Sequence, residues 1–478
     1  MSKPEFQTSN SSFRLPKISA ARLAAFEILL KIAAEKAFSS ILLPLYEENL
    51  KSDDRALCHE LTLGVLRNQT FLDAHIEHFS GKKLDKLDLA VKIILRIGIY
   101  QLKFLTKIPA RAAVNESVNL VYLAKKRSAA GFVNAVLRKC ERESHFNPLD
   151  SISDPLERLA VETSHPRWLL EKWQENFGFH ETAKLARANN HAPPTVFRLT
   201  SDDGASSVLT ELQSDGAILS KSKIAPDAWR IENGKTQKLR ELVATGQIYL
   251  QDEASQLVAH VASPEVGNAG NFLDVCAAPG SKTTFIARRS LLIQDKLVSD
   301  TQQSNPDLKV ENLQVAGDFS APRIRILREA ISKYASNQVE IVRYDATQSL
   351  PFAAHSFDIV LVDAPCSGTG TIRHNPEIRW HLEKNDLALL ADKQLRILMN
   401  AAALVKTGAR LVYSTCSLEL EEGEEVVRRF LSKNDDFEVI KITLLESLTI
   451  EQGFARTFPQ RGETDGFFIS VMKRRSVF

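Results

Sequence analysis

From about residue 18 to residue 140 the apolar positions fall three and four residues apart, turn-forming residues are few, and no stretch alternates with period two. This pattern predicts an all-α bundle. One helix is explicit: Leu87, Val91, Ile94, Leu95, Gly98, Leu102 and Leu105 share one stripe until Pro109 stops it. The segment ERESHFNPLDSISDP (141–155) mixes polar and turn-forming residues, and a short helical stretch around Trp168 to Trp173 follows. From Pro194 the period changes. TVFRLT, AWRIE and IYLQD read as strands, with a helix at SSVLTELQ, and predict a small α+β module. From residue 271 the short apolar runs NFLDVC, LQVAGD, EIVRYD, FDIVLVD, ARLVYSTCS and DGFFISVMK alternate with helical stretches. Strands alternating with helices imply a parallel, doubly wound, Rossmann-like α/β sheet, with ligands beyond the carboxyl ends of its strands. The expected domains are residues 18–145 (helical), 146–250 (linker and small α+β domain) and 251–478 (α/β).

Three domains suit a chain of 478 residues at roughly 150 residues each. With 44% hydrophobic and 25% charged residues, the composition is that of a globular protein and excludes full-length disorder and fibrous architectures. The richest apolar stretch, AVKIILRIGIYQL, carries Lys92 and Arg96 and falls short of the roughly 18 apolar residues of a membrane helix. The polar N-terminus has no apolar signal segment, so a cytoplasmic location is expected. Five cysteines, Cys58, Cys140, Cys276, Cys366 and Cys416, show no CxxC spacing, which argues against a zinc ribbon or a disulfide framework, and no metal is expected. A net charge of +2 hides an asymmetry: residues 1–150 hold 23 Lys+Arg against 16 Asp+Glu. Between 101 and 140, eight basic residues (Lys103, Lys107, Arg111, Lys125, Lys126, Arg127, Arg138 and Lys139) face one acid, Glu116. Such a patch suits a polyanion, because each neutralised phosphate releases counterions, and it equally describes a solvated helix face.

The first strand of the α/β region ends in DVCAAPGSKTT (274–284), where small residues let a ligand approach the backbone at a helix N-terminus. The spacing is neither GxGxxG nor a P-loop. An acid at the end of the next strand commonly holds ribose hydroxyls, and both Asp300, closing KLVSD, and Asp318, closing LQVAGD, are candidates. A spacing of about 20 residues favours Asp300. The helix PRIRILREAISKY and the strand EIVRYD that follow favour Asp318, which is preferred, with 291–312 taken as a loop insertion. Asp345, ending EIVRYD, is placed to meet an adenine edge. Two further strand ends deliver Cys366, in LVDAPCSGTG, and Cys416, in LVYSTCS. Cys58, Cys140 and Cys276 read as buried structural thiols, whereas Cys366 and Cys416 lie beside Ser and small residues on the rim where ligands bind, together with Asp363.

DVCAAPGSKT, DAPCSGTG followed by RHNPEIRW, YSTCS followed by an acidic helix start, and the terminal DGFF strand together resemble the RNA 5-methylcytosine methyltransferases of the Nol1/Nop2/Sun family. The helical region, with ARAAVNESVNLVYLAKK and GFVNAVLRK, is similar to the NusB-like RNA-binding domain of the bacterial Sun (RsmB) subfamily, which modifies small-subunit rRNA. The resemblance implies that Cys416 is the nucleophile toward carbon 6 of cytosine, that Cys366 promotes release, and that Asp363 hydrogen-bonds the ring. It also implies S-adenosylmethionine as cofactor, lying along Ala277, Pro279, Gly280, Lys282, Asp318, Arg323, Asp345 and Asp363. Arg373, His374 and Arg379 become candidate RNA contacts, and rRNA the expected partner of a monomeric enzyme. The same chemistry on tRNA is an alternative, and a catalytically silent RNA-binding or assembly factor is a rival of another class. A DNA methyltransferase would use the PC cysteine as nucleophile, and the TC cysteine argues against it.

Overall fold

The computed structural model describes residues 18–234, 237–265, 270–301, 312–335, 339–451 and 453–476. The chain divides into two compact units: one runs to Asn190 and takes in Asn375–His381, and the other holds His191–His374 and Leu382 onward.

The first unit is helical throughout its described residues, as the periodicity requires. The helix Leu89–Phe104 is its axis: the Asp88 carboxylate caps it by accepting from the N–H groups of Ala90 and Val91 at 3.0 and 3.4 Å. Val91, Ile94 and Leu95 are buried as the stripe predicts, and so are Ile93, Ile97 and Ile99. A helix apolar on nearly every side is one surrounded by others. At Gly98 a neighbour comes close, since a Cβ there would meet Leu137 at 2.7 Å. Two internal ion pairs link helices distant in sequence. Arg96 grips Asp73 through two bonds of 2.7 and 2.8 Å, and buried Arg22 meets Glu116 at 3.1 Å. Cys58 and Cys140 are buried here, and burial pushes both thiols up to about 11.

The second unit carries two sheets. In the smaller, β1 (Thr195–Leu199) lies between β3 (Ala228–Asn233) and β4 (Ile248–Leu250), with β2 (Ile218–Lys221) on the edge beyond β3; all pairings are antiparallel. The sequence pattern missed β2, a four-residue edge strand with no buried residue to give it a period. Arg198 of β1 is fully buried and ties this sheet to the next domain: it donates to Gln251 Oε1 at 3.0 Å and to Thr284 Oγ1 at 2.9 Å.

The larger sheet has the order β10-β12-β9-β8-β5-β6-β7, with β11 (Ala455–Arg456) paired to β12. Its parallel core is β5 (Phe272–Asp274), β6 (Gln314–Asp318), β7 (Val339–Arg343), β8 (Phe357–Asp363) and β9 (Val405–Thr415). The last strand, β12 (Phe468–Arg474), runs antiparallel to β9, and β10 (Phe437–Val439) antiparallel to β12, so the sheet is mixed at that edge. The chain steps outward from β5 through β6 to β7 and then returns to place β8 on the other side of β5. That reversal opens a crevice above the carboxyl ends of β5 and β8. Residues 291–301 are not a loop insertion: the helix that starts at Ser281 continues through Thr301. Asp300 therefore lies in a helix rather than at a strand end, and Asp318 closes β6. Alternation cannot separate a short strand from a helical turn in a stretch as brief as KLVSD. Residues 302–311, the rest of that expected insertion, lie outside the described residues.

Candidate active site at the switch point

Four of the five strands of the parallel core, β5 to β8, each bring an acid to the same rim, and β9 brings Cys416. Asp274 closes β5 and is buried, its Oδ2 accepting from the Thr283 hydroxyl at 2.7 Å. Burial, reinforced by the charge of Asp363, pushes this carboxyl up to about 7. Asp318 closes β6: its Oδ1 accepts the Ser320 N–H at 3.1 Å, and its Oδ2 lies 3.3 Å from the Arg323 guanidinium. Arg323 also donates to the Ala278 carbonyl, which joins the β6 acid to the loop after β5. Two residues past β7, Asp345 accepts from Thr347 through N–H and hydroxyl at 2.9 and 2.7 Å, bonds that hold its carboxyl below the usual range.

Asp363, at the end of β8, has both oxygens engaged. Oδ2 accepts from Lys282 Nζ and Oδ1 from the Ser414 hydroxyl, each at 2.7 Å. Burial alone would lower the Lys282 ammonium, but Asp363, Cys416 and Asp274 outweigh it and hold the group charged. The two loops beyond β8 and β9 then meet, and the Sγ atoms of Cys366 and Cys416 stand 3.3 Å apart. Contact with Cys416, followed by burial and the charge of Glu422, pushes the Cys366 thiol well above its ordinary value.

Six of these residues, Asp318, Arg323, Asp345, Asp363, Cys366 and Cys416, line one cavity of about 530 Å³. Ala277, Pro279, Gly280 and Lys282 shape the site from behind rather than forming that wall. The loop turns where the Gly280 N–H donates to the Ala277 carbonyl at 2.8 Å, and Gly280 itself takes φ +107°, a conformation that favours glycine. A side chain at Gly280 would also press on Leu327 at 3.0 Å. Cys276, read from sequence as merely structural, reaches the cavity wall, and burial pushes its thiol upward. The sequence reading had no role for Phe319, Lys393 and Arg396, which line the same cavity. Phe319 directly follows the β6 acid, and that position was the one available signal.

The three basic residues after Cys366 do not form one RNA-facing set. Arg379 is fully buried in the helical unit and donates to the carbonyls of Thr163 and Ser164 at 2.8 and 3.1 Å and to Asn190 Oδ1 at 2.9 Å. Arg373 is also buried, 3.4 Å from Asp465 and 3.7 Å from Asp252. His374 lies 3.3 Å from the same Asp465 carboxylate. Arg373 and Arg379 are buried against internal acceptors, so neither guanidinium is presented to solvent. The Asp252, His374 and Asp465 donor atoms lie within 4.8 Å of one another, as a metal site would require, but Arg373 already supplies the cation those carboxylates call for.

With this geometry in view, the family assignment is direct. Residues 259–473 match the model of the 16S rRNA methyltransferase RsmB/F family, residues 19–142 the NusB family, and residues 165–236 the ferredoxin-like domain of RsmF/B-like methyltransferases. The probable ribosomal RNA small subunit methyltransferase B of Bacillus subtilis (strain 168) is 32% identical, over 96% of this chain and 100% of its own length. This chain belongs to the RsmB/F family. The ribosomal RNA small subunit methyltransferase B of Pasteurella multocida (strain Pm70) is 30% identical, covering 95% of this chain and 96% of its own. Among solved structures, PH0851 superposes with a TM-score of 0.79 at 23% identity, covering 96% of this chain and all of the other. NSun6 from Pyrococcus horikoshii, solved with SFG, gives 0.53 at 19% identity over 65% of this chain and 99% of its own. The protein is thus an S-adenosylmethionine-dependent methyltransferase of the RsmB/F family with an N-terminal NusB-like helical region, and its substrate is RNA. No helix among the described residues is long and apolar enough to cross a membrane.

Proposed function

We propose that this chain methylates carbon 5 of a cytosine in small-subunit rRNA through a covalent adduct with Cys416. The observation that carries the reading is the pair of thiols 3.3 Å apart on the rim where Asp363 is held by Lys282. Carbon 5 of cytosine is a poor nucleophile until a thiolate adds to carbon 6. In this reading Cys416 forms that bond and the 5,6 double bond opens, which makes carbon 5 nucleophilic. S-adenosylmethionine supplies the methyl group as an electrophile on a sulfonium. Cys366 then promotes loss of the carbon 5 proton to water, the electron pair of that C–H bond re-forms the 5,6 double bond, and the Cys416 thiolate leaves. Asp363 hydrogen-bonds the ring and balances charge while the adduct lasts.

The crevice also suits the cofactor. Asp318 offers acceptors for the ribose hydroxyls and Asp345 for the adenine edge, Arg323 fixes Asp318, and the small residues Ala277 to Gly280 keep the backbone close. The target base must leave its stack to reach the thiols, which favours a single-stranded or opened segment of RNA. Removing each thiol separates the two roles. Cys366→Ala incubated with RNA and S-adenosylmethionine should give a protein–RNA band that survives denaturing electrophoresis, whereas Cys416→Ala should give no band and no methyl transfer. A stable adduct from Cys416→Ala would reverse the roles, and methylation retained by both variants would make the thiols structural. Bisulfite sequencing of rRNA and tRNA from a deletion strain decides between the two RNA classes.

A further inference from the structure

One buried carboxylate joins the two cysteine loops. Glu422 lies in the 3-10 turn Leu420–Glu422, six residues after Cys416, and is fully buried. Its Oε1 accepts the Ser367 N–H at 2.9 Å and Gln394 Nε2 at 2.9 Å, and its Oε2 accepts the Ser417 hydroxyl at 2.6 Å together with the Ser367 hydroxyl. Ser367 follows Cys366 and Ser417 follows Cys416, so the same side chain holds the residue next to each thiol. The carboxylate is itself anchored. Tyr413, fully buried in β9, donates its hydroxyl to the Glu422 carbonyl at 2.7 Å, and Gln394 also donates to the Pro365 carbonyl at 3.0 Å. Secondary bonds between the loops are weaker in kind: the Gly370 N–H to the Cys416 carbonyl at 3.0 Å and the Leu418 N–H to Thr369 Oγ1 at 2.9 Å are single neutral contacts.

We propose that Glu422 is a positioning residue for methyl transfer, which ties the two cysteine loops to one carboxylate so that both thiols address the same ring. This rests on the reading that Cys416 and Cys366 act on one cytosine. An acid is suited to the task because it is acceptor-only with two oxygens, and here it collects four donors without competing for any acceptor. A buried carboxylate with fewer donors would be costly, and four charge-assisted bonds make the arrangement stiff. Its charge also falls unevenly on the pair. Glu422 adds to the contact with Cys416 and to burial in keeping Cys366 protonated, while Lys282 stands by Cys416. Other titratable groups that share the cavity with the thiols include Asp363, Cys276, Lys393 and Arg396, and Tyr413 packs behind it.

Glu422→Gln keeps the shape and removes the charge and half of the acceptor capacity, and Glu422→Asp keeps the charge but withdraws it by one methylene. In the full-length protein, the Gln variant should lower kcat on rRNA about 100-fold with KM nearly unchanged, as expected of a displacement of about 1 Å at reacting groups. Iodoacetamide labelling of Cys366, followed by peptide mass spectrometry at pH 8, should speed up roughly tenfold in the Gln variant and stay slow in the Asp variant. A merely structural role would lower thermal stability and leave Cys366 labelling unchanged, and that result overturns the proposal, as does a Gln variant with wild-type kcat. Should Glu422→Gln fail to fold, kcat and labelling in Glu422→Asp decide in its place: a wild-type kcat there overturns the proposal. Labelling needs no methyl transfer. If Cys416→Ala still methylates RNA, the cysteine reading fails by itself, and the labelling rates still decide whether Glu422 governs the pair.

Discussion

Two lysine–aspartate pairs in this molecule have the same length and different meanings. In the helical unit Lys126 Nζ meets Asp88 at 2.7 Å, with the side chains 44% and 41% exposed. In the crevice Lys282 Nζ meets Asp363 at 2.7 Å, with 9% and 27% exposed. At the surface, water and salt screen the attraction and both partners are free to exchange it for another. In the crevice Lys282 has lost nearly all of its water and Asp363 much of it, so each depends on the other, and removing one leaves the second poorly compensated. The basic region 101–140 is of the first kind: Lys107, Arg111, Lys125, Lys126 and Arg127 are all exposed. Lys282 and Asp363 at the switch point are of the second kind, whereas Arg323, Lys393 and Arg396 on the same cavity are exposed. A polyanion can compete for the former; the latter can only orient what enters the cavity.

The sharpest way to break this contrast is to delete the two lysines separately. Lys282→Met should cost about 3 kcal/mol in urea unfolding, the lower end for a broken buried pair because Asp363 keeps some solvent. Equal costs for Lys282→Met and Lys126→Ala would show that burial makes no difference here. Within the crevice, Asp318→Ala should cost about 1.5–3 kcal/mol of S-adenosylmethionine affinity by calorimetry, the worth of a hydrogen bond to a charged group. Asp300→Ala, in the helix after β5, should leave that affinity as it was, and the reverse order would move the ribose contact to the helix. Reversing Lys125, Lys126 and Arg127 to Glu should weaken RNA binding and flatten its salt dependence, with cofactor affinity untouched; a slope of log K against log salt that stays the same would place the RNA elsewhere. The smallest effect belongs to Lys126→Ala, at about 0.5 kcal/mol of stability or less.

The same distinction between local and distant partners explains what was legible in the sequence. Helical periodicity set out the bundle, and strand-end position singled out Asp318, Asp345, Asp363, Cys366 and Cys416, all of which the fold brings to one cavity. Where the local pattern was weak it misled. The short edge strand β2 left no alternation, KLVSD imitated a strand while lying in a helix, and Arg373 and Arg379 looked like free cations because their acceptors are far away in sequence. Arg379 finds its carbonyls at Thr163 and Ser164, more than two hundred residues earlier.

By itself, then, the sequence determined the helical bundle, the principal strands and most of the reactive groups that stand at strand ends, because periodicity and turn chemistry act between residues close along the chain. Tertiary structure alone decided which charge faces which. The Lys282–Asp363 pair spans 81 residues and the Ser367–Glu422 bond 55, and each exists because β8 returns beside β5 and β9 beside β8. That crossover strips most of the water from these groups, and a charge short of water takes the partner that the fold has placed within reach.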